Sequence, residues 1–276
     1  MRSFHSADLS VREHLDGIFQ IETSPMVFSV LIVGKDSALL VDTGFGISDL
    51  DRCVGGLIGD RRLLVANTHG HLDHILGNYQ FEEVLIDPRD MAWQVPFSLS
   101  SESKGRVLAK EPCASSYPRI GEFLAYDGGN LRPMEEAEFQ LGDMTVDVVG
   151  IPNHSKGSVG FFVKERDLLV SGDALAPCIS LLFPESASVE EHLDILGDLT
   201  VLGFRHVLSS HDGRLHDRSI LYNAIKCARS NNGSMSIGYE DPYYPEFKGR
   251  LFAYIEEGHS ESASFLITKK QIGMKK

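Results

Sequence analysis

Apolar and polar positions cut the chain into short blocks. Residues 26–33 are almost wholly apolar, Gly34-Lys35-Asp36 supplies turn chemistry, and 38–41 is apolar again. That pattern predicts a β-hairpin, which runs into Asp42-Thr43-Gly44. Apolar spacing over 48–58 predicts a helix, weakened by Gly55 and Gly56. Residues 63–66 read as a short buried strand leading straight into Asn67-Thr68-His69-Gly70-His71-Leu72-Asp73-His74, and 84–86 as another. The strand signal returns at 139–149, and 160–163 with 168–170 predict a hairpin around Glu165-Arg166. Leu193, Leu196 and Leu199 place a helix over 189–199. A short strand at 206–208 ends at Ser209-Ser210-His211-Asp212, and an amphipathic helix covers 219–229. Segments 250–255 and 263–268 flank Glu256-Glu257-Gly258 as a closing hairpin. Strands and helices alternate without a strict strand-helix-strand rhythm, so the expected class is a mixed α/β sandwich, not a barrel or a doubly wound sheet.

Between 91 and 138 the periodicity dissolves into Ser, Pro, Gly and charge, yet the stretch carries Trp93, Phe97, Tyr117, Phe123 and Tyr126. Disordered linkers are poor in aromatics, so this reads as a folded insertion or lid. With no repeat and no Gly/Ser-rich linker, residues 1–276 are expected to form a single domain, closed by a helix and hairpin at about 219–270.

A chain of 276 residues can bury a substantial core. Its longest apolar run, 251–255, falls far short of the roughly 20 residues that span a bilayer. The start, MRSFHSADLS, lacks the apolar stretch of a secretory signal. Cys53, Cys113, Cys178 and Cys227 lie far apart with no CxxC spacing, which suggests reduced thiols and a cytoplasmic setting. Cys178 reads as a buried small hydrophobe. A net charge of −13 disfavours nucleic acid and anionic membranes and favours a small-molecule substrate.

The histidines change the picture most, because three fall within the six residues His69-Gly70-His71-Leu72-Asp73-His74. Imidazole and carboxylate suit zinc and related metals. The run follows a strand and contains a glycine, so alternate side chains at the strand end can converge. His69 and His71 can hold one ion, and Asp73 and His74 a second. A catalytic zinc takes about three protein ligands plus water, so further ligands are needed at other strand ends. His154 follows Pro152-Asn153, Asp173 ends Ser171-Gly172-Asp173, and His211 follows 206–208. The expected arrangement is His69, His71 and His154 on one ion and Asp73, His74 and His211 on the other, with Asp173 between them. His5, His14, His192, His206, His216 and His259 lack that setting and read as ordinary histidines.

At this point the chain resembles the metallo-β-lactamase-fold hydrolases. The resembling segments are Val41-Asp42-Thr43-Gly44, THGHLDH at 68–74, PNHSKGS at 152–158, SGDA at 171–174 and SSHD at 209–212, within about 15–215. The resemblance implies a four-layer αβ/βα sandwich of two mixed sheets with a dinuclear site at one edge. It also implies two divalent ions, zinc foremost with iron or manganese as alternatives, and Asp42 as a carboxylate that orients a ligand histidine. Asn153 and Lys156 depart from the usual Gly and Pro. Ala174-Leu175-Ala176 lacks the tyrosine of the lactonase branch, and no basic set matches the glutathione site of glyoxalase II, so no subfamily is identified. The implied reaction is hydrolysis of a small ester, thioester or lactone. Two cations about 3.5–4 Å apart ready a shared hydroxide and polarise the carbonyl. Asp73 orients the nucleophile or passes a proton to the leaving group, and the aromatic insertion walls the pocket. The alternatives are a mononuclear iron oxygenase of the persulfide dioxygenase type, which would leave Asp73, His74 and His211 unused, and a non-catalytic ligand-binding member. A nuclease of the same fold is opposed by the charge.

Overall fold

Two mixed sheets face each other in the computed structural model, which describes residues 2–6, 9–111, 116–230, 236–255 and 264–269. The first sheet has eight strands in chain order: β1 (Arg2–Ser6), β2 (Leu9–Leu15), β3 (Ile18–Ser24), β4 (Val27–Val33), β5 (Ser37–Val41), β6 (Arg62–Ala66), β7 (Val84–Ile86) and β8 (Leu131–Pro133). Strands β1 to β5 form an antiparallel meander, and β5 to β8 run parallel. The second sheet is built from β9 (Glu138–Gln140), β10 (Thr145–Gly150), β11 (Val159–Val163), β12 (Leu168–Gly172), β14 (His206–Ser209) and β15 (His216–Asp217), in the order β15-β14-β12-β11-β10-β9.

Alternation along each strand sends side chains to two cores. In β4 and β5, Val30, Ile32, Leu39 and Val41 face the second sheet and meet Val146, Phe161, Val170 and Leu208. Their neighbours Leu31, Ala38 and Leu40 face outward onto Leu50, Cys53, Val54 and Ile58 of α1 (Leu50–Ile58). Leu169 and Val207 on the second sheet turn outward beneath α6 (Val189–Leu199) and α7 (Ser219–Arg229). Burial on both faces explains why these strands are continuous apolar runs in the sequence. The result is the expected helix–sheet–sheet–helix sandwich. A third, four-stranded sheet, which the sequence reading did not foresee, is added beside it in the order β13 (Cys178–Leu181), β18 (Ser264–Lys269), β17 (Lys248–Tyr254), β16 (Ser236–Glu240). Its β17–β18 pair is the anticipated closing hairpin, whose turn at 256–258 lies outside the described residues.

The stretch whose periodicity dissolves holds the end of α3 (Pro88–Ser98), then α4 (Ser101–Lys110), α5 (Ile120–Ala125) and β8. Its helices are marked by caps more than by apolar spacing: Asp87 accepts from Arg89 N–H and Ser100 from Ser103 N–H. Pro96 inside α3 and the polar first turn of α4 hide both from a periodicity reading. Among the described residues, no helix is long and apolar enough to cross a membrane.

Candidate metal centre

The carboxyl ends of β5, β6, β12 and β14 lie side by side. Val41 pairs with Ala66, and Gly172 with Ser209. The chain therefore delivers Asp42, the 67–74 run, Asp173 and His211 to one edge. Asp42 sits in the left-handed region at φ 62°. Its carboxylate accepts the Thr68 N–H and the Thr68 hydroxyl, each at 2.8 Å, tying β5 to the start of the histidine run. A one-turn helix, α2 (Leu72–Ile75), then presents Asp73 and His74, anchored by buried Leu72.

All seven candidate ligands meet. His71 Nδ1 lies 3.0 Å from His69 Nε2 and 2.8 Å from His154 Nε2. His211 Nε2 lies 3.1 Å from Asp73 Oδ2 and 3.2 Å from Asp173 Oδ2. Asp173 also reaches His74 Nε2 and His154 Nε2, at 3.6 Å each, so it stands between the two sets. Three groups have donor atoms within 4.8 Å of one another: His69, His71 and His154; His69, His74 and Asp173; Asp73, His74 and His211.

Whether these residues suit cations can be tested on the nitrogens that face away. The Nδ1 of His69 meets the Thr68 hydroxyl at 3.0 Å, and that of His74 meets Asp42 at 2.8 Å. His154 Nδ1 meets the Ser180 carbonyl at 2.7 Å, His211 Nδ1 the Met26 carbonyl at 2.8 Å, and His71 Nε2 lies 3.4 Å from Glu185. Each ring is thus oriented from behind, as metal-ligating histidines require. In front, buried His74 Nε2 and Asp173 Oδ1 have no hydrogen-bond partner. Buried polar atoms are rarely left so, and a cation between them would satisfy both.

Charge agrees with geometry. Burial, together with the neighbouring His74 and His71, pushes His69 well below the usual histidine range. Burial and His71 bring His154 down to about 4. Both rings are neutral at pH 7, so each keeps one unprotonated nitrogen. Burial alone would lower His74, but Asp42, Asp73 and Asp173 outweigh it and raise the ring to about 10. Burial likewise opposes Asp173, whose charge nevertheless holds His211 well above its ordinary value. Asp73 and Asp173 stay well below the carboxylate range despite burial, because His74 and His211 face them.

Several residues here were not anticipated. Buried Asp90 on α3 accepts from Gly70 N–H, the Ser155 hydroxyl and Gly157 N–H at 2.8, 2.7 and 2.7 Å, clamping the loop of His69 and His71 to the loop of His154. In sequence it is only a first-turn acid of a helix. Asn153 donates to the Ala174 carbonyl and contacts buried His192, so this departure from Gly braces the His154 loop against α6. The pocket wall needs correction. A cavity of about 330 Å³ over the centre is walled by Phe45, Phe183, Tyr239, Tyr243 and Tyr244, not by the 91–126 aromatics. Phe123 is consumed in packing, and Trp93 and Phe97 line a neighbouring recess. Cys178 is exposed and lines the cavity; it is not a buried hydrophobe, because it starts β13 at the mouth of the site.

The sequence profile described as the metallo-beta-lactamase superfamily matches residues 25–230. The acyl-coenzyme A thioesterase MBLAC2 of Homo sapiens is 28% identical over 180 residues, which cover 58% of this chain and 64% of that protein. The probable metallo-hydrolase YqgX of Bacillus subtilis (strain 168) is 26% identical over 144 residues, 52% of this chain and 64% of that one. Among solved structures, a metallo-beta-lactamase from Erythrobacter litoralis superposes with a TM-score of 0.57 at 11% identity, covering 83% of this chain and 99% of that one, a likeness of fold.

Proposed function

The chain belongs to the metallo-beta-lactamase superfamily, and on that footing we propose that it hydrolyses small acyl thioesters with the help of two divalent metal ions, zinc foremost. The observation that carries this reading is the convergence of His69, His71 and His154 beside Asp73, His74 and His211, with Asp173 in reach of both sets. The first three would hold one ion and the second three the other, with Asp173 shared and Asp42 orienting His74. A relative named as an acyl-coenzyme A thioesterase favours a thioester. The buried Ala174-Leu175-Ala176 after Asp173, with no tyrosine, speaks against a lactone.

When bound, divalent ions supply Lewis acidity, which lowers the pKa of a water and polarises a carbonyl oxygen. The chain's own residues do the rest. Asp73 lies against His211 Nε2 at 3.1 Å, lines the cavity and presents its carboxylate there. It is therefore ready to take a proton from water as the water oxygen bonds to the acyl carbon. As the carbon–sulfur bond breaks, Asp73 returns that proton to the departing thiolate, leaving a carboxylic acid and a thiol. Phe45, Phe183 and Tyr244 line the cavity in which this step takes place.

The test is metal analysis with steady-state kinetics. The parent should carry about two ions per chain. Asp73→Asn should lower kcat by roughly 100-fold or more, and His71→Ala should lose metal as well as activity. Full activity in Asp73→Asn, or one iron per chain with oxygen consumption, overturns the reading.

A further inference from the structure

The site cavity adjoins a larger recess of about 600 Å³, and Met26, Cys178 and His211 line both. The new recess is floored by β2 and β3, where Arg12 pairs directly opposite Gln20, so the two side chains share a face. Four side chains of formal charge line it: Arg12, Glu22, Asp212 and Arg214. Glu22 accepts the Met26 N–H at 3.4 Å, and Asp212 holds His216 at 2.9 Å. Both guanidinium groups keep donors free. Arg12 donates from one nitrogen to the Gly213 carbonyl, and neither Arg12 nor Arg214 has a carboxylate within ion-pair distance among the described residues. Two guanidinium groups with no ion-pair partner among the described residues share a concave recess on a chain of net charge −13, and their forked donors match phosphate oxygens.

A second neighbouring recess is mostly aromatic, with Glu185 as its one carboxylate. Phe183 packs on the His71 ring at 4.4 Å between centroids and also lines a recess of about 250 Å³ with Trp93, Phe97 and Phe247. A ligand spanning the centre therefore meets cations beside His211 and apolar surface beside His71. We propose that the Arg12–Arg214 recess is an anion subsite for the phosphate groups of a phosphorylated thiol, and that the substrate lies with its thiol arm over His211 and its acyl end against Phe183. This rests on the thioester reading.

The test compares two thioesters of the same acyl group in the metal-loaded full chain. One is the coenzyme A thioester; the other is that of N-acetylcysteamine, which carries the same reacting group and no phosphate. The parent should prefer the former by at least about tenfold in kcat/KM, and Arg214→Glu, an exposed site, should cut that preference by about tenfold. Calorimetric binding of adenosine 3′,5′-bisphosphate should weaken by a similar factor in the variant and with added salt. A preference unmoved by Arg214→Glu overturns the subsite and leaves the thioester reading standing. Hydrolysis of neither ester, with bisphosphate binding that depends on Arg214, supports the subsite and overturns the thioester reading; hydrolysis of neither with binding independent of Arg214 overturns both.

Discussion

Asp42 shows how much one residue carries. A non-glycine residue at φ 62° is uncommon, and aspartate tolerates it better than most. That conformation turns the carboxylate back onto Thr68, the Ser210 hydroxyl and His74 Nδ1. With Asp73 and Asp173 it keeps a proton on the metal-free His74 ring up to about pH 10, whereas His154 loses its proton near pH 4. The sign follows. An ion that takes His74 must displace a proton, so loading of the Asp73–His74–His211 group should strengthen as pH rises from 7 toward 10. His154 itself offers no such competition above about pH 5. Calorimetry in buffers of different ionisation heat should find proton release with one ion and little with the other. Asp42→Asn should flatten that pH dependence and weaken the affected site by about 10- to 100-fold. Two binding steps with equal proton release in the parent would contradict this assignment.

At the scale of elements, the centre depends on α3, a helix remote from it in sequence. Asp90 joins two ligand-bearing loops, and Gly157 is needed because a Cβ there would sit 2.6 Å from the Asp90 carboxylate. Asp90→Ala would leave the Gly70 N–H, Gly157 N–H and Ser155 hydroxyl without their buried acceptor. The expected cost is roughly 2–4 kcal/mol, read as a lower unfolding midpoint together with reduced metal content. Asp90→Asn, which keeps one acceptor oxygen, should recover part of both. A parent-like midpoint in Asp90→Ala would mean that the two loops hold their places unaided. Helices α6 and α7 were legible in the chain because their apolar residues repeat with a helical period, and the three predicted hairpins because short apolar runs flank turn residues. Helices α3 and α4 were not, since capping and polar contacts define them. Strands β2 and β3 escaped for a related reason: their polar residues alternate with few large apolar ones.

At the scale of the whole molecule, three apolar layers are assembled without any ligand residue: one between the sheets and one under the helices on each side. Removing metal with a chelator should therefore abolish hydrolysis while far-UV circular dichroism and cooperative unfolding persist, with a lowered midpoint from the lost binding energy. Collapse of the fold on chelation would show that the core relies on the ions, as it does in small zinc modules. The candidate ligands could be read from the chain before any coordinates, because coordinating chemistry resides in residue type and because His69 to His74 are close neighbours in sequence. His154, Asp173 and His211 could be added because strand ends advertise themselves as breaks in apolar runs. Asp90, the Phe183 wall, the exposure of Cys178 and the Arg12–Arg214 recess needed the folded molecule. Each joins segments far apart in the chain, and their proximity arises when the sheets close and the loops dock, an event that leaves no periodic trace in the order of residues.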